Sequence, residues 1–211
     1  MRTLPGALAV LALLALTGCR LSDLTTPAGE AMFRDDFSSA WSGWESSQAP
    51  GSLTHFQDGR MHVAIPGESA SVITVPGLEF GDVQIEVDAE KVTGTDVNRI
   101  GLVCRYKDPQ NFYFFVVSSD GFYGLGKVSG GEANLLGMTE MQRSEAVEAQ
   151  VGPIHLRADC IGQELTLYIN GSRQAVAADP EHPSGDAGLF AGTSSEAGLE
   201  VAFDNFAVLK P

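Results

Sequence analysis

The sequence predicts an all-β fold, an antiparallel two-sheet sandwich of jelly-roll type. Three observations lead there. Short runs such as GRMHVAIP, VQIEVDAEKV, NFYFFVVSS and ELTLYIN follow one another from Met32 onward, and their period-two alternation sends one row of side chains inward and the other outward. Asp58-Gly59, Asp120-Gly121 and Asn170-Gly171 each separate two such runs, and these pairs suit the positive φ that tight hairpins need at both central positions. The chain is punctuated by 24 Gly and 10 Pro, and only EMQRSEAVEAQ (140–150) has the pattern of a short helix.

The elements follow in order. The chain opens MRTLPGALAVLALLALTGC, with one Arg, an apolar run, and small residues ending in Cys19. The run is shorter than the roughly 20 apolar residues a membrane-spanning helix needs, and its flanks read as a secretory signal. Leu16-Thr17-Gly18-Cys19 resembles the lipobox of bacterial lipoproteins. That resemblance implies a signal peptide over 1–18, cleavage before Cys19 and lipidation of that residue, which anchors a chain without crossing the bilayer. Residues 19–31 then form the lipidated Cys and a short polar tether. Residues 32–211 are long enough for one sandwich with a single core.

Charge and cysteine narrow the function. The formal net charge is −14, and losing Arg2 with the leader makes it one unit more negative. Such a surface repels nucleic acid and anionic headgroups, which need clustered Lys and Arg. With Cys19 lipidated, Cys104 and Cys160 remain, an even pair in an oxidising compartment. Alternation points both thiols into apolar core, either as a disulfide or as two buried free thiols. No His lies near enough in sequence to suggest a thiolate metal site.

The turns suggest a register for the central strands. A two-residue turn at 120–121 sets Ser119 opposite Phe122 and Phe114 opposite Lys127. A four-residue loop at 108–111 sets Arg105 opposite Phe114. One face then carries Leu102, Cys104, Tyr106, Tyr113, Phe115, Val117, Phe122 and Val128 as core. The other mixes aromatics and cations: Val103, Arg105, Lys107, Phe112, Phe114, Val116, Tyr123, Leu125 and Lys127. In the preceding strand Ile85, Val87 and Ala89 are buried, so Glu86, Asp88 and Glu90 are expected on the face of Arg105, with Glu86 near its guanidinium.

FRDDFSS…SGW, IGLVCRYKDPQNFYFFVVSSDGFYGLGKV, LTLYING and FDNFAVL, in this order, resemble the concanavalin A-like lectin/glucanase superfamily over roughly 32–211, nearest its laminin-G-like and keto-disaccharide-hydrolase-like domains. That architecture hosts lectins, glycanases and adhesion modules alike. In its β-glucanases an acidic strand motif is catalytic, and the resemblance implies Glu86 as nucleophile, Asp88 as modulator and Glu90 as acid/base. Retaining hydrolysis, however, needs carboxyl groups about 5–5.5 Å apart, whereas i and i+4 in a strand are about 13 Å apart at Cα. Lys91 follows directly, and the Trp/Tyr-rich flanks that form sugar subsites are missing. The family also implies a structural calcium ion on Asp204, with Asp36 or Asp35 adding oxygen.

The expected function is therefore a lipid-anchored envelope binding module, with carbohydrate as the ligand class, rather than an enzyme. Sugars lay their C–H faces on aromatic rings while polar groups take the hydroxyls. Phe112, Phe114, Tyr123, Arg105, Lys127, Glu86 and Asp88 are the candidate ligand residues. The alternatives are a second small core on that face, a sugar-acting enzyme, or a protein adhesion module. Trp41 and Trp44 are expected as core filling, with a sugar platform as the alternative, and His55, His62, His155 and His182 as surface residues.

Overall fold

The computed structural model describes residues 29–39, 43–47, 49–148 and 151–211. Cys19, the leader over 1–18, the tether up to residue 28 and Trp41 lie outside the described residues. The strands are β1 (Ala31–Asp35), β2 (Glu45–Ser46), β3 (Leu53–Gln57), β4 (Arg60–Ile65), β5 (Ser71–Val75), β6 (Val83–Gly94), β7 (Asn98–Asp108), β8 (Asn111–Ser118), β9 (Phe122–Ser129), β10 (Glu132–Leu135), β11 (Gln142–Arg143), β12 (Ile154–Ile161), β13 (Glu164–Ile169), β14 (Ser172–Ala178), β15 (Asp186–Thr193) and β16 (Leu199–Leu209). A single helical turn, α1 (Glu145–Glu148), falls inside the segment expected to hold a short helix.

Two eight-stranded sheets face each other. The first runs β14-β13-β12-β6-β16-β4-β3 with β1 also on β16; the second runs β10-β9-β8-β7-β15-β5-β2 with β11 also on β9. Every strand pair is antiparallel. The inner faces meet in one apolar core, with Ile85, Val87, Leu156 and Phe203 from the first sheet against Leu102, Phe115, Leu125 and Leu189 from the second. Each such side chain stabilises the fold by about 1.5–3 kcal/mol when fully buried. Cys104 on β7 and Cys160 on β12 are joined in a disulfide with Cα atoms 6.8 Å apart, a covalent link between the sheets. At one end Trp44 packs on Phe37 and Phe206 while its Nε1 donates to Asp35 Oδ2 at 2.8 Å, in keeping with core filling.

Two of the three expected tight turns form as two-residue hairpins. Asp58 and Gly59 have φ of 53° and 72°, and Asn170 and Gly171 have 48° and 77°, with Gln57 opposite Arg60 and Ile169 opposite Ser172. The third differs. Ser118, not Ser119, stands opposite Phe122, which leaves a three-residue loop. The reason lies on β7: Asn98 donates to Ser119 Oγ and accepts from the Ser119 amide, and the Ser118 hydroxyl binds Asp120, so Ser119 is held out of the ladder. The slip moves Tyr123, Leu125 and Lys127 to the inner face and Phe122 and Val128 to the outer one, reversing the expected assignment of β9.

The other two corrections concern Arg105 and Glu86. Arg105 has φ of 51°, and the β7–β8 register breaks between Cys104 and Asp108, so Arg105, Tyr106 and Lys107 bulge opposite Phe112. A bulge re-aims the side chains it contains, and Arg105 turns inward, only 2% exposed. Strands β6 and β7, expected as neighbours, belong to different sheets. Thr95–Val97 carry the chain across the sandwich, with the Thr95 amide donating to Gly198 O at 2.9 Å. Two strands that each bury one face fit equally well side by side or face to face, so alternation alone does not choose between those arrangements.

Candidate functional site

The outer face of the second sheet forms a groove of about 640 Å³, lined by Phe112, Phe114, Phe190, Arg99, Asn134 and Met141 among others. This volume falls in the range of small-ligand sites, about 300–1,000 Å³. Its geometry comes from two cross-strand rows. One runs Leu135, Gly126, Phe114, Val103, Gly188, and the next runs Gly124, Val116, Gly101, Phe190, Ile73. Each row thus sets one ring directly beside a glycine, Phe114 beside Gly126 and Phe190 beside Gly101. A Cβ on Gly126 would lie 2.3 Å from Phe114 Cζ, so the Phe114 ring lies across the bare backbone of β9. A Cβ on Gly124 would meet Met141 and Leu135, which close that side.

Beneath the groove Ile73, Val75, Val103, Phe112 and Val128 are buried as a second apolar cluster, with Phe114 and Phe190 packed on it and half-buried. The face thus combines the two arrangements expected of it, a small core below and an open trough above. Arg99 lies in the groove outside every ion pair found among the described residues. Phe190 and Arg99 were not among the candidates from sequence. AGLFAG carried the signal for Phe190, since Leu189 and Ala191 are buried and the residue between them must face outward.

Of the expected ligand residues, Phe112 and Phe114 line the groove and the others do not. Tyr123 packs against the main core. Arg105 donates to Gly162 O at 2.7 Å, His182 O at 3.0 Å and Asp82 Oδ1 at 3.2 Å. Lys127 donates to Asp179 and Glu181, each at 2.6 Å. Tyr113 joins this network, donating to Asp179 Oδ1 at 2.7 Å and accepting from the His182 amide at 3.0 Å. Burial, with Asp179 adding to it, pushes the Tyr113 phenol up to about 12. Its hydrogen bonds to the two carboxylates hold the Lys127 ammonium well above its ordinary value. Burial pushes Asp179 up, but hydrogen bonds from Lys127, Tyr113 and the Glu181 amide outweigh it, and the net shift is down. These residues fasten the 179–182 segment to β8 and β9, which is a structural role.

Glu86, Asp88 and Glu90 project from the outer face of the first sheet, in the sheet opposite the groove. Their partners on that face are mostly basic or polar side chains, although Asp204 stands opposite Asp88. Glu90 accepts from Arg60 at 2.6 Å, Asp88 contacts His155 Nδ1 at 2.8 Å and accepts from Asn205 at 2.9 Å, and Glu86 stands opposite Arg157. The calcium candidates have partners close in sequence. Asp36 caps the Ser38 amide at 3.1 Å, Asp204 accepts from the Asn205 amide at 2.7 Å, and Asp35 is engaged by Phe37 and Trp44. Among the described residues neither Asp36 nor Asp204 belongs to a group of three metal-ligating side chains. His62 and His182, expected at the surface, are 8% and 3% exposed.

No family model matches the chain, and no characterised protein matches it in sequence. Solved structures do. A carbohydrate-binding module from Bacillus subtilis is similar with a TM-score of 0.62 at 16% identity, covering 80% of this chain and 96% of that one. A Bacillus subtilis protein of unknown function with a galectin-like fold gives 0.65 at 14% identity, over 87% and 97% of the two chains. The catalytic domain of an endo-1,3-β-glucanase (laminarinase) from Thermotoga petrophila gives 0.60 at 11% identity, over 86% and 98%. At such identities the likeness establishes the jelly-roll sandwich, in agreement with the concanavalin A-like resemblance, and nothing finer.

Proposed function

We propose that this chain is a carbohydrate-binding module whose ligand lies in the groove on the outer face of the second sheet. The observation that carries the reading is that Phe114 and Phe190 each stand beside a glycine on that face, Gly126 and Gly101. It leaves flat apolar rings accessible to the C–H faces of a sugar, with Arg99 and Asn134 available for its hydroxyls. The similarity to a carbohydrate-binding module and to a laminarinase supports the ligand class. Binding is preferred to hydrolysis because Asp88 and Glu90 are held by His155, Asn205 and Arg60 on the other sheet, away from the groove. The proposal includes export and lipid anchoring through Cys19, which would display the module at the envelope surface.

A glycan array followed by titration calorimetry on the leading hit tests it. Phe114→Ala and Phe190→Ala should each weaken binding by about tenfold, as loss of one aromatic platform implies. Glu86→Gln should leave it unchanged. Turnover of a glycan abolished by Glu86→Gln would replace this reading with an enzymatic one, and a protein ligand competing at Phe114 would replace it with adhesion.

A further inference from the structure

His55, His62 and Glu200 stand on three neighbouring strands of the first sheet, the sheet opposite the groove. The Asp58-Gly59 hairpin sets His55 directly opposite His62, and β4 pairs with β16 so that His62 faces Ala202 and Ala64 faces Glu200. Period-two alternation then places all three side chains on the outer face. The two rings are 5.1 Å apart, His62 Nδ1 lies 2.9 Å from Glu200 Oε1, and one ligand atom of each residue falls within 4.8 Å of the others.

Two features go beyond an ordinary His–Glu contact. His55 Nδ1 is buried and has no hydrogen-bond partner, a state that buried imidazole nitrogens seldom keep. His62 is only 8% exposed, so its Nδ1 meets Glu200 from a largely buried position. A cation bound by the imidazole nitrogens and the carboxylate accommodates both features. Glu90, opposite Ala202, is already held by Arg60, so it does not compete for that role.

We propose that His55, His62 and Glu200 bind a divalent transition-metal ion, zinc foremost, with water completing its coordination. Imidazole and carboxylate together suit zinc. A tetrahedral ion at about 2.0–2.2 Å from each ligand sets the ligand atoms about 3.4 Å apart, which small side-chain rotations reach from the observed arrangement. His55 and Glu200 are partly exposed, so solvent reaches the fourth position. Three protein ligands and one exchangeable position make an open site rather than a closed structural one. The net charge of −14 favours accumulation of the cation.

The test uses the untagged full-length chain, stripped with chelator. Zinc is titrated by calorimetry, and cobalt(II) is followed by its visible d–d bands. The expected result is one ion per chain and a tetrahedral cobalt spectrum. Affinity should fall at least about tenfold in His55→Ala and in Glu200→Gln, since losing even an outer partner of a metal ligand has that effect. His155→Ala, on the same face beside Asp88, should leave it unchanged. If His55→Ala lowers the melting temperature of the metal-free protein, His55→Gln provides the comparison. Absence of saturable one-to-one binding, or equal affinity in all these variants, overturns the proposal. Neither result bears on glycan binding in the groove.

Discussion

Reduction of the Cys104–Cys160 disulfide should lower stability by about 4 kcal/mol. The bridge closes a loop with a sequence separation of 56, and the loop-closure entropy it removes from the unfolded chain amounts to about 4 kcal/mol at 25 °C. A domain of this size loses roughly 2–4 °C of melting temperature per kcal/mol, so the midpoint should fall by about 8–16 °C. Both cysteines are fully buried, so the reductant is applied to unfolded chain, which is then refolded. Urea unfolding compares oxidised chain, reduced chain and the Cys104→Ala/Cys160→Ala double variant. The bridge joins the sheets beside Arg105, away from the groove lining, so glycan binding at 25 °C should survive. Equal midpoints for oxidised and reduced chain, or Cys104 and Cys160 both reacting as free thiols in non-reduced unfolded protein, would refute the inter-sheet link.

Three further predictions follow from the geometry. Gly126→Val places a side chain where the Phe114 ring and Asn134 O already sit, so it should displace the ring and weaken glycan binding by about tenfold in calorimetry, as Phe114→Ala does. Arg105→Met removes the donor for Gly162 O and His182 O and should cost about 3 kcal/mol in urea unfolding; a loss below about 1 kcal/mol would show that these bonds do not hold the 179–182 segment. Tyr113 keeps its proton to about 12 in the folded protein against about 10 when unfolded, so its contribution to stability is complete below pH 10 and is lost as pH rises toward 12. Tyr113→Phe should flatten that alkaline decline in pH-dependent melting and remove the last-titrating phenol from the ultraviolet absorbance curve.

The strand pattern, the two hairpins at Asp58-Gly59 and Asn170-Gly171, and the inward cysteines were all legible because each is a local matter. Turn residues set φ, and alternation sets which side chains are apolar together. The inward row of β7 and β8, with Leu102, Cys104, Tyr113 and Phe115, follows from that alone. So do Phe112 and Phe114 on the outer side. The errors share a different origin. β9 was reversed by hydrogen bonds from Asn98 to the loop at Ser119, and no property of Asp120-Gly121 itself announces them.

The amino-acid pattern by itself determined that this chain builds half-buried strands with one greasy and one wet edge, and that Cys104 and Cys160 lie inside. Tertiary structure decided which strands share a sheet. It put β6 across the sandwich from β7, separating Glu86 from Arg105. It also folded Arg105 into a buried bulge and brought Glu200 from a distant part of the chain to the His55–His62 hairpin. The physical reason is that side-chain alternation records burial, which is one-dimensional, whereas strand order depends on backbone ladders and connections whose free energies are set by partners elsewhere in the chain.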